Sequence, residues 1–411
     1  MRSCLHVDAD SGLCRIQPLP PELKASGGRA LASRLAAEKP GRLCLAPGLL
    51  TGSRCASAGR CAVSCSHADG QVFHSNAGGS AGPAMASAGL AAIVVECGSG
   101  AAVPFSMSDL VIGRGEARLV PSVVRSRGVP GAMAELASAY PDAAALIASG
   151  SAGVMGLPMA SLAFSDHRLK ASSHAGSGSG ALLCRGGLRS IVFLKDIASS
   201  PRMQEGVAEA TLRFVKVLKG VRGDEPVGSH GCTSSCVLDC HKNSAAPSEK
   251  KPGGRSGWPG FQKLWATGDA ERDAMLTGRF MKLCDELGAD AFALGAVLEL
   301  AAGQGVLASG HGEAALEELE KLASAAESLL RVPAMSWSMG GGKRASHEED
   351  IQGVVMDCLG ICRFAADAMM RSGEVREAVL ELLRCMHGLG EEELYLMAAA
   401  GLAAEKGRDD L

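Results

Sequence analysis

Through about residue 200, apolar positions come in short aliphatic runs set apart by Gly, Pro and Ser. Examples are Ala91-Ala92-Ile93-Val94-Val95-Glu96 and Ser190-Ile191-Val192-Phe193-Leu194. Runs of this length bounded by turn residues predict strands. Two stretches in this half carry helical spacing instead, near Gly28 to Glu38 and Ala132 to Ala139. After Met203 the period lengthens, and Val207, Ala210, Leu212, Phe214, Val215 and Leu218 fall on one helical face. The same spacing predicts helices over 272–287, 313–331, 349–371, 374–387 and 391–406. Between the halves lies an insert from Val221 to Gly260, rich in Gly, Ser, Pro and charge. A second linker from Arg331 to His347 contains Met339-Gly340-Gly341-Gly342-Lys343. No repeat of solenoid type is visible. The pattern predicts an α+β chain: a β-rich N-terminal domain over 1–200, a helical domain over 201–345 and a C-terminal helical domain over 346–411.

Composition sharpens this picture. With 411 residues the chain exceeds one ordinary core. Aromatics supply only 3% of it while glycine occurs 53 times, so packing must rest on close backbone approach. A net charge of −3 gives no reason to expect nucleic acid or an anionic membrane surface as partner. The uncharged stretches Gln71 to Val95 and Ala143 to Ser165 are broken by glycine and proline, unlike a spanning helix. The opening residues Met1-Arg2-Ser3-Cys4-Leu5-His6 hold no apolar leader core, so a disulfide framework is not expected.

The cysteines carry the most specific chemistry. Cys232, Cys236 and Cys240 stand at C-x3-C-x3-C, and Cys362 closes Asp357-Cys358-Leu359-Gly360-Ile361-Cys362 far downstream. Three thiolates on one loop, with a fourth supplied by the fold, is the ligand set of a [4Fe–4S] cluster. A zinc site using Cys232, Cys236, Cys240 and His241 is the rival, although adjacent Cys and His fit one tetrahedron awkwardly. Three unrelated cysteines is the bland alternative. Scattered ones such as Cys44, Cys97, Cys184 and Cys284 read as small buried hydrophobes. A near-repeat adds weight: Asp285-Glu286-Leu287-Gly288-Ala289-Asp290 shares the form D-x-L-G with the segment that ends in Cys362. Each copy alone is a glycine-ended helix, but the spacing matches in both.

These motifs resemble the tungsten-containing aldehyde:ferredoxin oxidoreductase family. So do Ala46-Pro47-Gly48-Leu49-Leu50-Thr51-Gly52-Ser53, Ala58-Gly59-Arg60-Cys61 and Ser75-Asn76-Ala77-Gly78-Gly79-Ser80-Ala81-Gly82-Pro83. The resemblance implies a β-rich domain that seats a tungsten (or molybdenum) bis-pterin, capped by helical domains. It implies that Arg60 lies between cluster and pterin, and that the backbone around Asn76 helps hold a Mg2+ joining the pterin phosphates. Gly78 and Gly79 would then let main chain approach those phosphates. Asp285 and Asp357 would accept hydrogen bonds from pterin nitrogens, within motifs completed by Gly288, Ala289, Asp290, Gly360 and Ile361. Cys232, Cys236, Cys240 and Cys362 would bind the cluster. The implied protein is a cytoplasmic, often homodimeric oxidoreductase that passes electrons from an aldehyde to ferredoxin or a similar carrier.

The chain also departs from that family. The first cysteine gap is three residues, not two. Where relatives carry a proton-handling glutamate, this chain reads Pro259-Gly260-Phe261-Gln262, and Gln262 cannot shuttle a proton. Ser177 replaces an arginine in the glycine-rich loop Gly176-Ser177-Gly178-Ser179-Gly180. Only 72 positions separate Asp285 from Asp357, and the substrate-lining stretches expected there are not recognisable. His347 reads as a solvated helix-start residue. The alternative is therefore a non-catalytic or degenerate subunit that binds cluster and pterin for electron transfer.

Overall fold

The fold comes from a computed structural model. It describes residues 2–8, 10–53, 55–97, 103–104, 106–197, 206–222, 236, 269–303, 313–314, 316–317, 320, 347–362 and 372–406. Among these, every strand lies between Ser3 and Leu194 and the remainder is helical, as the hydrophobic period predicts. The first set of elements is β1 (Ser3–Asp8), β2 (Leu13–Pro18), α1 (Gly28–Ala37), β3 (Arg42–Pro47), β4 (Cys61–Ser66), β5 (Val72–Ala77), α2 (Ala81–Ser87) and β6 (Leu90–Glu96). The second is β7 (Ser108–Gly113), β8 (Glu116–Pro121), α3 (Val129–Ala139), β9 (Ala143–Ser149), α4 (Ser151–Val154), β10 (Leu162–Ser165), β11 (Ala171–Ala175), α5 (Ser179–Arg185) and β12 (Leu188–Leu194).

The two sets form sheets of the same topology. The first runs β2-β1-β6-β3-β4-β5, and the second, read from its other edge, runs β8-β7-β12-β9-β10-β11. In each, a hairpin opens the repeat, the closing strand lies parallel to the first, and every other pairing is antiparallel. The domain thus repeats one sheet topology twice, a repeat that is not of solenoid type and that the sequence does not display.

Strict alternation along the strands builds four layers. Leu43, Leu45, Val63, Ile93 and Val95 face Leu110, Ile147, Phe164, Ile191 and Phe193 across the gap between the sheets. The alternate positions of the first sheet, Cys44, Ala46, Ala62, Ala92 and Val94, are mostly small and let Leu31, Ala32 and Leu35 of α1 sit close. Val111, Leu146, Ala148 and Val192 receive Val129, Met133 and Leu136 of α3 in the same way. A poverty of aromatic rings is thus met with short side chains and near contact of backbones.

The helical half splits between the two repeats. Helices α6 (Val207–Arg222), α9 (His347–Leu359), α10 (Gly373–His387) and α11 (Glu391–Lys406) pack with Leu49, Leu50, Cys55 and Ala58 of the first repeat. Helices α7 (Ala270–Leu287) and α8 (Ala291–Gly303) pack with Ala152, Met159, Ala160 and Ala181 of the second. The predicted helix 349–371 stops at Leu359, where Gly360 takes a left-handed conformation at φ 75°. No described helix is long and apolar enough to cross a membrane. None of the thirteen described cysteines forms a disulfide, and Cys44, Cys97, Cys184 and Cys284 are buried as expected.

Candidate functional site

Both D-x-L-G segments are helix ends, and each docks on the equivalent loop of one repeat. Gly360 follows α9, Gly288 follows α7, and both are left-handed. The residue after each makes a β-bridge: Ile361 with Ala58, and Ala289 with Ala160. The motif carbonyls, orphaned by the helix end, find donors in the sheet domain. Arg60 N donates to Gly360 O at 3.1 Å and Ser161 N to Gly288 O at 2.7 Å. Leu49 N and Leu50 N donate to Cys358 O and Leu359 O, at 2.9 and 3.0 Å. Cys362 N and Asp290 N complete the match by donating to Ser57 O and Met159 O.

At the first docking point the side chains interlock. Arg60 donates through Nε to Asn76 Oδ1 and through Nη2 to Asn76 O. Asn76 Nδ2 donates to Asp357 Oδ1 at 2.8 Å. The other carboxylate oxygen of Asp357 faces His74 Nε2 at 3.1 Å and Arg29 Nη1 at 3.6 Å. Arg29 grips Glu405 of α11 with two nitrogens, at 2.8 and 2.6 Å. Ser33 Oγ donates to Glu405 Oε1, so Ser64 donates to Ser33 and accepts from His74 Nδ1–H. A closed ring of six side chains from α1, β4, β5, α9 and α11 results. Burial pushes the Asp357 carboxyl up, but the His74 hydrogen bond and charge, with Arg29 and Arg60, outweigh it and hold the group below the ordinary aspartate range.

The second docking point has the same frame and different chemistry. Ser161 Oγ lies 3.0 Å from His174 Nδ1, and His174 Nε2 lies 3.4 Å from Asp285 Oδ1. The Asp285 side chain is 59% exposed, against 24% for Asp357. Asp290 turns its Oδ1 back to cap α8, accepting from Phe292 N and Ala293 N. Gly176 lies against that carboxylate, where a Cβ would come within 1.7 Å of Oδ2. The freedom of Gly79, at φ 108°, is taken up by the Ser165 carbonyl, 2.6 Å from where its Cβ would stand. Gly78 N donates to Ser173 Oγ at 3.0 Å. Ser177, in the place of the expected arginine, adopts φ 61° and donates to His74 O.

Of the expected thiolates, Cys362 is 8% exposed, and Cys236 packs against the same cluster of residues. Cys232, Cys240 and Gln262 lie outside the described residues. Cys55 and Cys358 belong to the same cluster, and burial pushes both thiols up to about 12, which disfavours the thiolate. His347 is the first residue of α9, as its sequence context suggests. The structure adds His74, His174, Arg29 and Glu405, none of which the sequence singled out. The available signal was faint: each histidine lies in a short polar strand, one in His74-Ser75-Asn76 and one in Ser173-His174-Ala175.

Each half of the two-sheet domain thus seats one D-x-L-G helix end. Residues 4–195 match the family model described as aldehyde ferredoxin oxidoreductase, N-terminal domain. No curated protein matches the chain. Among solved structures, it is similar to the active site complex BamBC of benzoyl coenzyme A reductase in complex with 1,5-dienoyl-CoA, at 14% identity and a TM-score of 0.49. That likeness covers 92% of this chain and 64% of the other, so this chain spans less than two thirds of the neighbour's length.

Proposed function

We propose that the chain is an oxidoreductase of the aldehyde ferredoxin oxidoreductase family. In this reading Cys232, Cys236, Cys240 and Cys362 hold a [4Fe–4S] cluster. A tungsten (or molybdenum) bis-pterin, with Mg2+ on its phosphates, sits against Arg60, Asn76, Gly78, Gly79 and the two aspartate motifs. When bound, these groups supply two-electron oxidation of an aldehyde-class substrate and single-electron exit to ferredoxin or a similar carrier.

The residues present suit such groups. Arg60 is half-buried and rigidly held through Nε and Nη2, a fixed cation for an anionic cofactor edge. The Asp285 side chain is 59% exposed, within reach of a heterocyclic N–H. Cys362 lies in an apolar cluster in which burial pushes the Cys55 and Cys358 thiols up to about 12. The observation that carries the reading is the paired docking: Gly360 and Gly288 meet equivalent loops of the two-sheet domain, which brings both motif aspartates onto the outer strands of that domain.

One observation favours the second reading, a non-catalytic electron-transfer subunit. Both Asp357 oxygens already have protein donors. Anaerobic purification followed by measurement of Fe, W, Mo and Zn, oxidised-pterin fluorescence and aldehyde-dependent viologen reduction separates the two. About four iron per cluster with tungsten or molybdenum and dye reduction supports the enzyme. The same metals without reduction support the subunit, and zinc without iron ends both.

A further inference from the structure

Among the described residues, Ser57 Oγ, Ser66 Oγ, Thr211 Oγ1 and Arg185 Nε are buried without a hydrogen-bond partner. Ser57 is 3% exposed, and its neighbours Cys55, Ala56 and Ala58 are buried and apolar. A hydroxyl left unpaired in such surroundings carries its full desolvation cost.

The main chain at Ser57 is strained as well. Ala58 N donates to Cys55 O at 3.3 Å, closing a four-residue turn in which Ser57 is third. Ser57 stands there at φ 59°, in the left-handed region. Glycine takes that place in a turn without steric penalty. Serine meets two costs that glycine would avoid, the backbone strain and the orphaned hydroxyl. What the hydroxyl does must therefore explain the side chain.

Its position in the fold points to the answer. Ala58 bridges Ile361, and Cys362 N donates to Ser57 O at 3.0 Å, so Ser57 stands opposite Cys362 where the motif docks. Among the orphaned atoms, Ser57 Oγ is the one whose residue is bonded to an expected cluster ligand. The Cys362 thiol does not accept from it, so its acceptor is a different atom. A [4Fe–4S] cluster brings inorganic sulfides beside its thiolates, and hydrogen bonds to those sulfurs help set its potential.

We propose that Ser57 Oγ donates a hydrogen bond to an inorganic sulfide of the cluster held by Cys362, and so raises the reduction potential. The proposal rests on the cluster reading above. The hydroxyl keeps its proton throughout, and no covalent bond forms or breaks. One added electron makes the sulfides more negative and the hydrogen bond stronger, so the donor favours the reduced form. The buried, apolar surroundings keep the local dielectric low, where such a bond counts for most.

The test uses the anaerobically purified, iron-loaded full chain with the variants S57A and S57G. Both remove the hydroxyl; S57A keeps the Cβ at the left-handed position, and S57G relieves the strain. Electron paramagnetic resonance during a reductive titration reads the cluster's midpoint potential. Resonance Raman spectra in H2O and D2O read the deuterium shift of the iron–sulfur stretching bands. The expected result is a reduction equilibrium about tenfold less favourable in both variants, or ~59 mV lower for one electron, with a smaller deuterium shift than wild type. A purely structural role would change stability and leave potential and deuterium shift alone. Loaded variants with the wild-type potential and shift therefore overturn the hydrogen bond and leave the cluster reading standing. A potential that moves in only one variant follows the backbone rather than the hydroxyl and overturns it too. Loss of iron from both variants makes Ser57 an assembly residue and overturns the tuning role. A wild type that holds no iron ends the cluster reading and the proposal with it.

Discussion

Gly48 and Gly360 are packed backbone to backbone: a Cβ on Gly48 would stand 2.1 Å from Gly360 N, and one on Gly360 would stand 2.9 Å from Gly48 Cα. Gly150 and Gly288 repeat the contact in the second half, where a Cβ on Gly150 would meet Leu287 O at 2.2 Å. These glycines decide whether each motif helix can seat on its loop. Gly48→Ala and Gly150→Ala should each destabilise the chain by about 1–3 kcal/mol or more, as overpacking of rigid backbone does. Urea unfolding followed by circular dichroism measures it; a loss below about 0.5 kcal/mol would contradict the close packing.

Two other glycines should behave in the opposite way. Gly278 of α7 and Gly353 of α9 have nothing within 4 Å of an added Cβ. Alanine at either should stabilise by roughly 0.5–1 kcal/mol through helix propensity alone. The same unfolding curves check this, and a destabilised variant would mean that these helix faces are covered.

Much of this was open to reading from the sequence. The strand runs at 91–96 and 190–194, the helical period after Met203 and the two glycine-ended motifs all have local causes, and local patterns show them. The repeated topology was not legible, because a sheet's topology depends on which strands pair and not on what each strand contains. Its equivalent positions, Arg60 with Ser161 by their bonds to the motif glycines and Asn76 with His174 by strand register, share no side-chain type. The histidines were missed for a related reason. A lone histidine in a strand is ordinary until pairing places it opposite a carboxylate 283 positions away, as it does for His74 and Asp357.

Asp357 should leave its mark on acid stability. Its carboxyl is held below the ordinary value of 3.8 by His74, Arg29 and Arg60, which outweigh burial. The charged form therefore contributes stability at pH above 3.8, and that contribution is lost as pH falls through the lower folded value. Asp357→Asn should be less stable than wild type at pH 6, and the gap should close as pH falls below 3.8. A gap that is constant with pH would remove the electrostatic account of the ring.

Glu405 closes that ring from the C-terminal helix. Its side chain is 10% exposed and takes both hydrogen bonds from Arg29, itself 20% exposed. Glu405→Ala would leave a buried guanidinium with Asp357 alone, at 3.6 Å. The expected loss is about 3–5 kcal/mol, with faster hydrogen exchange across 391–406 and 347–362. Wild-type exchange in 347–362 would show that α11 does not hold the motif.

Cys362, which closes the second motif and is proposed as the fourth cluster ligand, bears most directly on the functional account. Iron and labile sulfide should be measured in anaerobically purified wild type, Cys362→Ser and Cys358→Ser. The account predicts about four iron per chain in wild type, their loss in Cys362→Ser, and their retention in Cys358→Ser, whose buried thiol is pushed up to about 12. Full iron in Cys362→Ser, or zinc in place of iron in wild type, would contradict it.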